Sequence, residues 1–166
     1  MHKVSRVFVA VLLSGLTACA SSSVMDVASD TIVINTAAAP ACGQRGAQDV
    51  AVKRAAYETL RRGYDKYVIL GAQAQNNVGV VGYTPRVANS YSTGTLNTYG
   101  NTGTYSGSSN TYYSGGQPII AGSHDQQLAV RMFRTGDPGA ERAVDARQVL
   151  GPEWQTVLSK GPGSTC

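Results

Sequence analysis

The chain has 166 residues, of which 14 % are charged and 19 are glycine, so it can build one ordinary core and has no room for a second domain of the usual size. The formal charge of +4 falls to +2 once Lys3 and Arg6 are set aside with the N-terminal segment, leaving twelve basic against ten acidic residues. With adjacent basic pairs only at Lys53-Arg54 and Arg61-Arg62, the composition argues against a nucleic-acid binder, which gathers cations on one face to neutralise phosphates.

Residues 1 to 6 carry Lys3 and Arg6, and residues 7 to 13 (Val-Phe-Val-Ala-Val-Leu-Leu) are continuously apolar, the charged and hydrophobic regions of an export signal. The apolar run is too short to span a bilayer. It leads into Leu16-Thr17-Ala18-Cys19, an apolar residue, two small ones and a cysteine, which resembles the lipobox of bacterial lipoproteins. The resemblance implies a signal peptide over residues 1–18, a diacylglyceryl group on the Cys19 thiol and an acyl chain such as palmitate on its freed amine. Two or three chains anchor stably, at about 0.8 kcal/mol per buried CH₂, where one is marginal. The resemblance also implies, from Ala20 in place of an aspartate, the periplasmic face of the outer membrane. Secretion without lipid, by cleavage after Leu16-Thr17-Ala18, is the alternative these residues leave open. Cys42 and Cys166 then form an even pair in an oxidising compartment and predict a disulfide, nominally worth about 4 to 5 kcal/mol for so long a loop. Two separate thiols, or Cys166 bridged to another chain, are the other possibilities.

Residues 19–29 are small and polar and read as a lipidated tether, ahead of a single domain over 30–166. Thr31 to Thr36 is β-branched and predicts a strand, followed by a loop through Ala37 to Gly46. From Ala47 to Arg62, the spacing of Val52, Ala55, Ala56, Thr59 and Leu60 predicts an amphipathic helix that Gly63 closes. Tyr67 to Ala74 has strand composition, and Val78 to Tyr83 can extend the sheet. Residues 89–117 carry no charge and little but Ser, Thr, Gly, Asn and Tyr, a low-complexity insertion predicted to be a long loop or a floppy hairpin. Gln117 to Ala121 resumes order, and Gln127 to Arg134 alternates as a half-buried strand. After the turn signal Gly136-Asp137-Pro138-Gly139, Ala140 to Leu150 has helical spacing up to Gly151-Pro152, and Trp154, Val157 and Leu158 predict a last short helical turn that returns Cys166 towards Cys42. The fold class expected is α+β: a small, mainly antiparallel sheet with two helices on one face, the polar insertion and one disulfide.

Past the lipobox, His124 in Ser123-His124-Asp125 is the sole histidine, and three consecutive residues cannot converge as nucleophile, base and orienter because strand neighbours point to opposite faces. One histidine and two paired cysteines fall short of a zinc site, Asp137 with Glu141 fits a turn and a helix start better than calcium, and Gly115-Gly116 is not set between a strand and a helix as a phosphate cradle would be. No metal, cofactor or enzymatic activity is therefore expected. Tyr91, Tyr99, Tyr105, Tyr112 and Tyr113 are the candidate binding residues, spaced in a hydrogen-bonding background that suits sugar stacking, a protein contact or strand addition to another sheet. As a whole the chain resembles small uncharacterised outer-membrane lipoproteins of proteobacteria, and residues 30 to 75 with the Cys42 bridge are similar in architecture to the signalling domain of the envelope-stress lipoprotein of the Rcs phosphorelay. The expectation is a non-enzymatic envelope lipoprotein that binds a protein partner or the peptidoglycan glycan. A passive structural lipoprotein and a periplasmic hydrolase using His124 are the rivals.

Overall fold

The computed structural model describes residues 19–166, and the expected signal peptide lies outside the described residues. Among the described residues the fold is α+β, with mainly antiparallel strands, three helices and the Cys42–Cys166 disulfide, whose Cα atoms are 5.7 Å apart. The chain divides into two compact units, one made of the N-terminal part to Asn76 with His124–Cys166, the other of Asn77–Ser123.

The first unit is a five-stranded sheet in the order β1-β2-β8-β3-β9, with β1 Ala20–Ala28, β2 Thr31–Ala38, β3 Lys66–Asn76, β8 His124–Phe133 and β9 Val144–Asp145. Helix α1, Gly43–Arg61, covers one face. The period-two pattern of the two central strands dictates this arrangement: Ile32 and Ile34 of β2, and Leu128, Val130 and Met132 of β8, all point to the helix and are buried. The helix answers with Ala51, Ala55 and Ala56, whose small side chains let its axis lie close to the sheet, and Tyr67 of β3 fills the end of the core. A smaller cluster of Ala20, Ala38, Ala47 and Val50 packs beside the disulfide. Gly46 belongs there of necessity, because a Cβ would lie 2.9 Å from that of Cys42 and 3.0 Å from that of Cys166.

Three expectations are corrected. Residues 20–28 are no tether but the edge strand β1, paired with β2 in continuous register from Ala20↔Ala38 to Asp26↔Ile32. Ser22 faces the helix side, hydrogen-bonded to the buried Thr36 at 2.8 Å, and Val24 packs on the core. The second predicted helix, from Ala140 to Leu150, breaks in three: a 3₁₀ turn Ala140–Arg142, the short strand β9 against Lys66 and Tyr67, and helix α2 Ala146–Leu150. Asp145 causes the restart, its carboxylate accepting from the Arg147 and Gln148 N–H groups as an N-cap. The short helical turn expected at Trp154, Val157 and Leu158 is found as helix α3, Trp154–Lys160. The predicted loop 37–46 shrinks, since β2 runs to Ala38 and α1 starts at Gly43.

Among the described residues one charged side chain is fully buried. Glu58 on α1 meets three guanidinium groups: Arg54 at 3.0 Å, Arg61 at 2.7 Å and Arg62 at 3.3 Å. Arg62 reaches on to Asp26 of β1 at 2.6 Å, so the cluster ties the end of the helix to the edge strand.

The second unit holds two further antiparallel ladders. Strand β4 (Gly79–Tyr83) pairs with β7 (Pro118–Ala121), and β5 (Val87–Tyr99) with β6 (Thr102–Ser114). Of the two readings of residues 89–117, loop or hairpin, the hairpin is the one found. At its tip Gly100 takes φ 57° while Asn101 stays at negative φ, the pattern of a II′ turn with glycine first.

Candidate functional site

The structure offers three surfaces to weigh: the start of β1, the β5–β6 ribbon, and the sheet face that α1 leaves open. Cys19 is exposed and immediately precedes β1. It is held on two sides, forming a bridge with Thr165 and accepting from the Ala39 N–H at 3.1 Å, while the Ala20 N–H donates to Ser164 O at 2.6 Å. The C-terminal residues that grip it are themselves secured by the Cys42–Cys166 bond. Cys19 therefore belongs to the folded unit.

Each ribbon strand has thirteen residues, and every one of them is exposed. The register, Val87↔Ser114 through Tyr99↔Thr102, assigns the five candidate tyrosines to two faces. Tyr91, Tyr99 and Tyr112 share one face. There Tyr91 lies opposite Asn110 and Tyr112 opposite Asn89, which makes a diagonal pair of rings flanked by two amides. Tyr99 is 95 % exposed at the tip, eight residues and roughly 27 Å from Tyr91 along the strand. Tyr105 and Tyr113 are on the other face with Leu96. Tyr105 lies across the opposed pair Gly94 and Gly107, where a Cβ on either would collide with its ring, so the two glycines are what allow the ring to shield the bare backbone. The five tyrosines thus do not converge on one site. Ser90 with Thr111 and Ser92 with Ser109 add cross-strand hydroxyl bonds of 2.8 and 3.1 Å. The unit 77–123 carries a single charge, Arg86, and the base of the hairpin exposes Val80, Val81, Ile119 and Ile120.

His124 opens β8 on the helix side, level with Ala38 and Asn76, and its Nδ1 is buried without a hydrogen-bond partner. Asp125, as strand geometry requires, points to the opposite face. The neighbours are thus kept apart, and His124 Nδ1 has neither carboxylate nor hydroxyl to work with. Among the described residues no three His, Cys, Asp or Glu side chains come together as a metal site, and no helix is long and apolar enough to cross a membrane.

The open sheet face carries the site that the sequence concealed. Four strands in register place Ser23, Asn35, Gln127 and Gln73 in one row, and Ser21, Ala37, Asp125 and Gln75 in the next. Together they line a groove of about 650 Å³. Gln127 Nε2 donates to Asn35 Oδ1 at 2.7 Å, which fixes the middle of the first row. These residues are separated by up to about a hundred positions, so no local motif could have revealed them; the one available signal was the polar phase of the alternating strands.

No known protein family, curated protein or solved structure matches the chain.

Proposed function

We propose that the protein is a non-enzymatic envelope lipoprotein, anchored by lipid on Cys19 at the periplasmic face of the outer membrane, which binds a protein partner by strand addition to the β5–β6 ribbon. The observation that carries the binding reading is the ribbon itself: two thirteen-residue strands with no buried residue, no charge and no proline. An isolated two-stranded hairpin is at best marginally stable in water, because ordering each residue costs about 1–2 kcal/mol and nothing is buried in return. Both outer edges keep unpaired N–H and C=O groups, and none of the usual guards against pairing, lysine, proline or a bulge, interrupts either strand. A third strand supplied by a partner would complete the hydrogen bonding, with the tyrosines of either face as side-chain anchors. The anchor reading rests on Leu16-Thr17-Ala18-Cys19 and on the exposure of Cys19 at the head of β1.

The test is made in the producing bacterium. Wild type is compared with Cys19→Ala for N-terminal mass and membrane fraction, and a photo-crosslinking residue is placed at Tyr91, with the exposed Gln48 of α1 as the control position. An acylated peptide beginning at Cys19, and a discrete crosslinked protein from position 91 that is absent from position 48, are expected. A soluble, unacylated wild type defeats the anchor, and no specific adduct from the ribbon defeats the partner reading.

A further inference from the structure

We infer that the groove on the open face of the β1-β2-β8-β3 sheet is a binding site for a neutral saccharide. This does not rest on the lipid anchor or on the ribbon, since every residue of the groove belongs to the first unit.

The chemistry of the two rows selects the ligand. Gln73 and Gln75 each offer two N–H donors and a carbonyl acceptor, the bonded Gln127–Asn35 pair presents the Asn35 NH₂, the second Gln127 N–H and the Gln127 carbonyl, and Ser23 offers a hydroxyl that donates and accepts. Such a set pairs with groups that also donate and accept, namely sugar hydroxyls and acetamido groups. The groove has no cation, and its one charge, Asp125, repels anions; phosphates, nucleotides and acidic lipid headgroups are therefore disfavoured. Nor does it hold a large apolar or aromatic side chain that would retain an acyl chain or a flat ring. An extended peptide is the poorer fit, because the backbone groups of β2 and β8 are already used in two ladders each and an approaching strand would find none to pair with. A saccharide needs no backbone. Its hydroxyls project from both edges of the ring, and the rows meet them on two lines about 7 Å apart, each roughly 14 Å long across four strands. The volume of about 650 Å³ lies within the range of small-molecule clefts. Without a stacking ring, the expected dissociation constant is on the order of 0.1–1 mM.

The test is a titration of the full purified protein with cellotetraose, maltotetraose and the N-acetylglucosamine tetramer, following the side-chain NH₂ resonances of Gln and Asn. Saturable shifts at Gln73, Gln127 and Asn35 with at least one of the three are expected. Gln127→Ala should weaken that binding roughly fivefold, the worth of one neutral hydrogen bond, and Gln73→Ala/Gln127→Ala at least tenfold. Both changes are on exposed positions, so an unchanged melting temperature will separate loss of binding from loss of fold. No shift with any of the three sugars at 10 mM, shifts confined to the ribbon tyrosines, or saturable groove binding by an unstructured peptide and not by sugar would each overturn the inference.

Discussion

Replacing Glu58 by alanine should be among the most damaging single changes to the first unit. The carboxylate is fully buried, yet its partners are not equally so: the side chains of Arg54 and Arg62 are 28 % and 22 % exposed, and that of Arg61 is 53 % exposed. Removing one member of a buried ion pair costs about 3–5 kcal/mol when the orphaned charge cannot reach water. Here all three guanidinium groups retain some access, which places the expected loss at the lower end, about 3 kcal/mol, or on the order of 10 °C in melting temperature for a unit of this size. Arg61→Ala is the internal control, because a half-exposed partner contributes under about 1 kcal/mol. Denaturant unfolding followed by the fluorescence of Trp154 is the assay. It is the single tryptophan, lies on α3 under the Arg147 guanidinium, and reports on the first unit. A loss below about 0.5 kcal/mol for Glu58→Ala, or a loss equal to that of Arg61→Ala, would refute the reasoning, for it would mean that the cluster behaves as solvated surface charge.

Reducing the Cys42–Cys166 bond, which spans 124 residues, should lower stability by up to about 5 kcal/mol through the entropy restored to the unfolded chain, and hydrogen exchange should show the Ala20 amide losing protection as Ser164 lets go. Replacing residues 78–122 by an Asn-Gly turn between Asn77 and Ser123, already joined by a 2.9 Å backbone bond, should change the Trp154-monitored stability by less than about 1 kcal/mol; a larger loss would show that the first unit depends on the ribbon. Burial pushes the Tyr67 phenol up to about 12, so the neutral form is favoured in the fold and the contribution is intact below pH ~10; it should fade between about pH 10 and 12, a slope that Tyr67→Phe removes. At the acid end, the Thr135 N–H and hydroxyl and then Arg147 hold the Asp65 carboxyl below its ordinary range. That contribution is present above about pH 4 and lost as pH falls through the lowered value, and an acid titration of Asp65→Asn should lack it.

Where one periodicity answered to one environment, the sequence was legible. Thr31 to Thr36 and Gln127 to Arg134 alternate because α1 covers a single face of the sheet, and the stripe from Val52 to Leu60 is the other side of that contact. β1 was not legible, since Ser21-Ser22-Ser23 has no strand propensity of its own and is ordered by the ladder that β2 supplies. Ala140 to Leu150 misled for a different reason: Ala143 and Val144 satisfy helical spacing, but Ala143 is extended at φ −82°, ψ 144°, and Val144 pairs across to Tyr67. Of the candidate residues, the tyrosines were visible as a group while their division between two faces depended on register. The amide rows depended on four strands meeting.

That β1 begins at Ala20 has a mechanical consequence. Nine residues of loose chain could pay out to about 30 Å, letting a domain roam beneath its attachment point. Here those nine residues are folded into the sheet and their first is clamped by Ser164, so a lipid on Cys19 would act as a rivet where a leash was expected. The sheet would be held close to the bilayer surface, and anything it binds would have to come within that narrow layer to be caught.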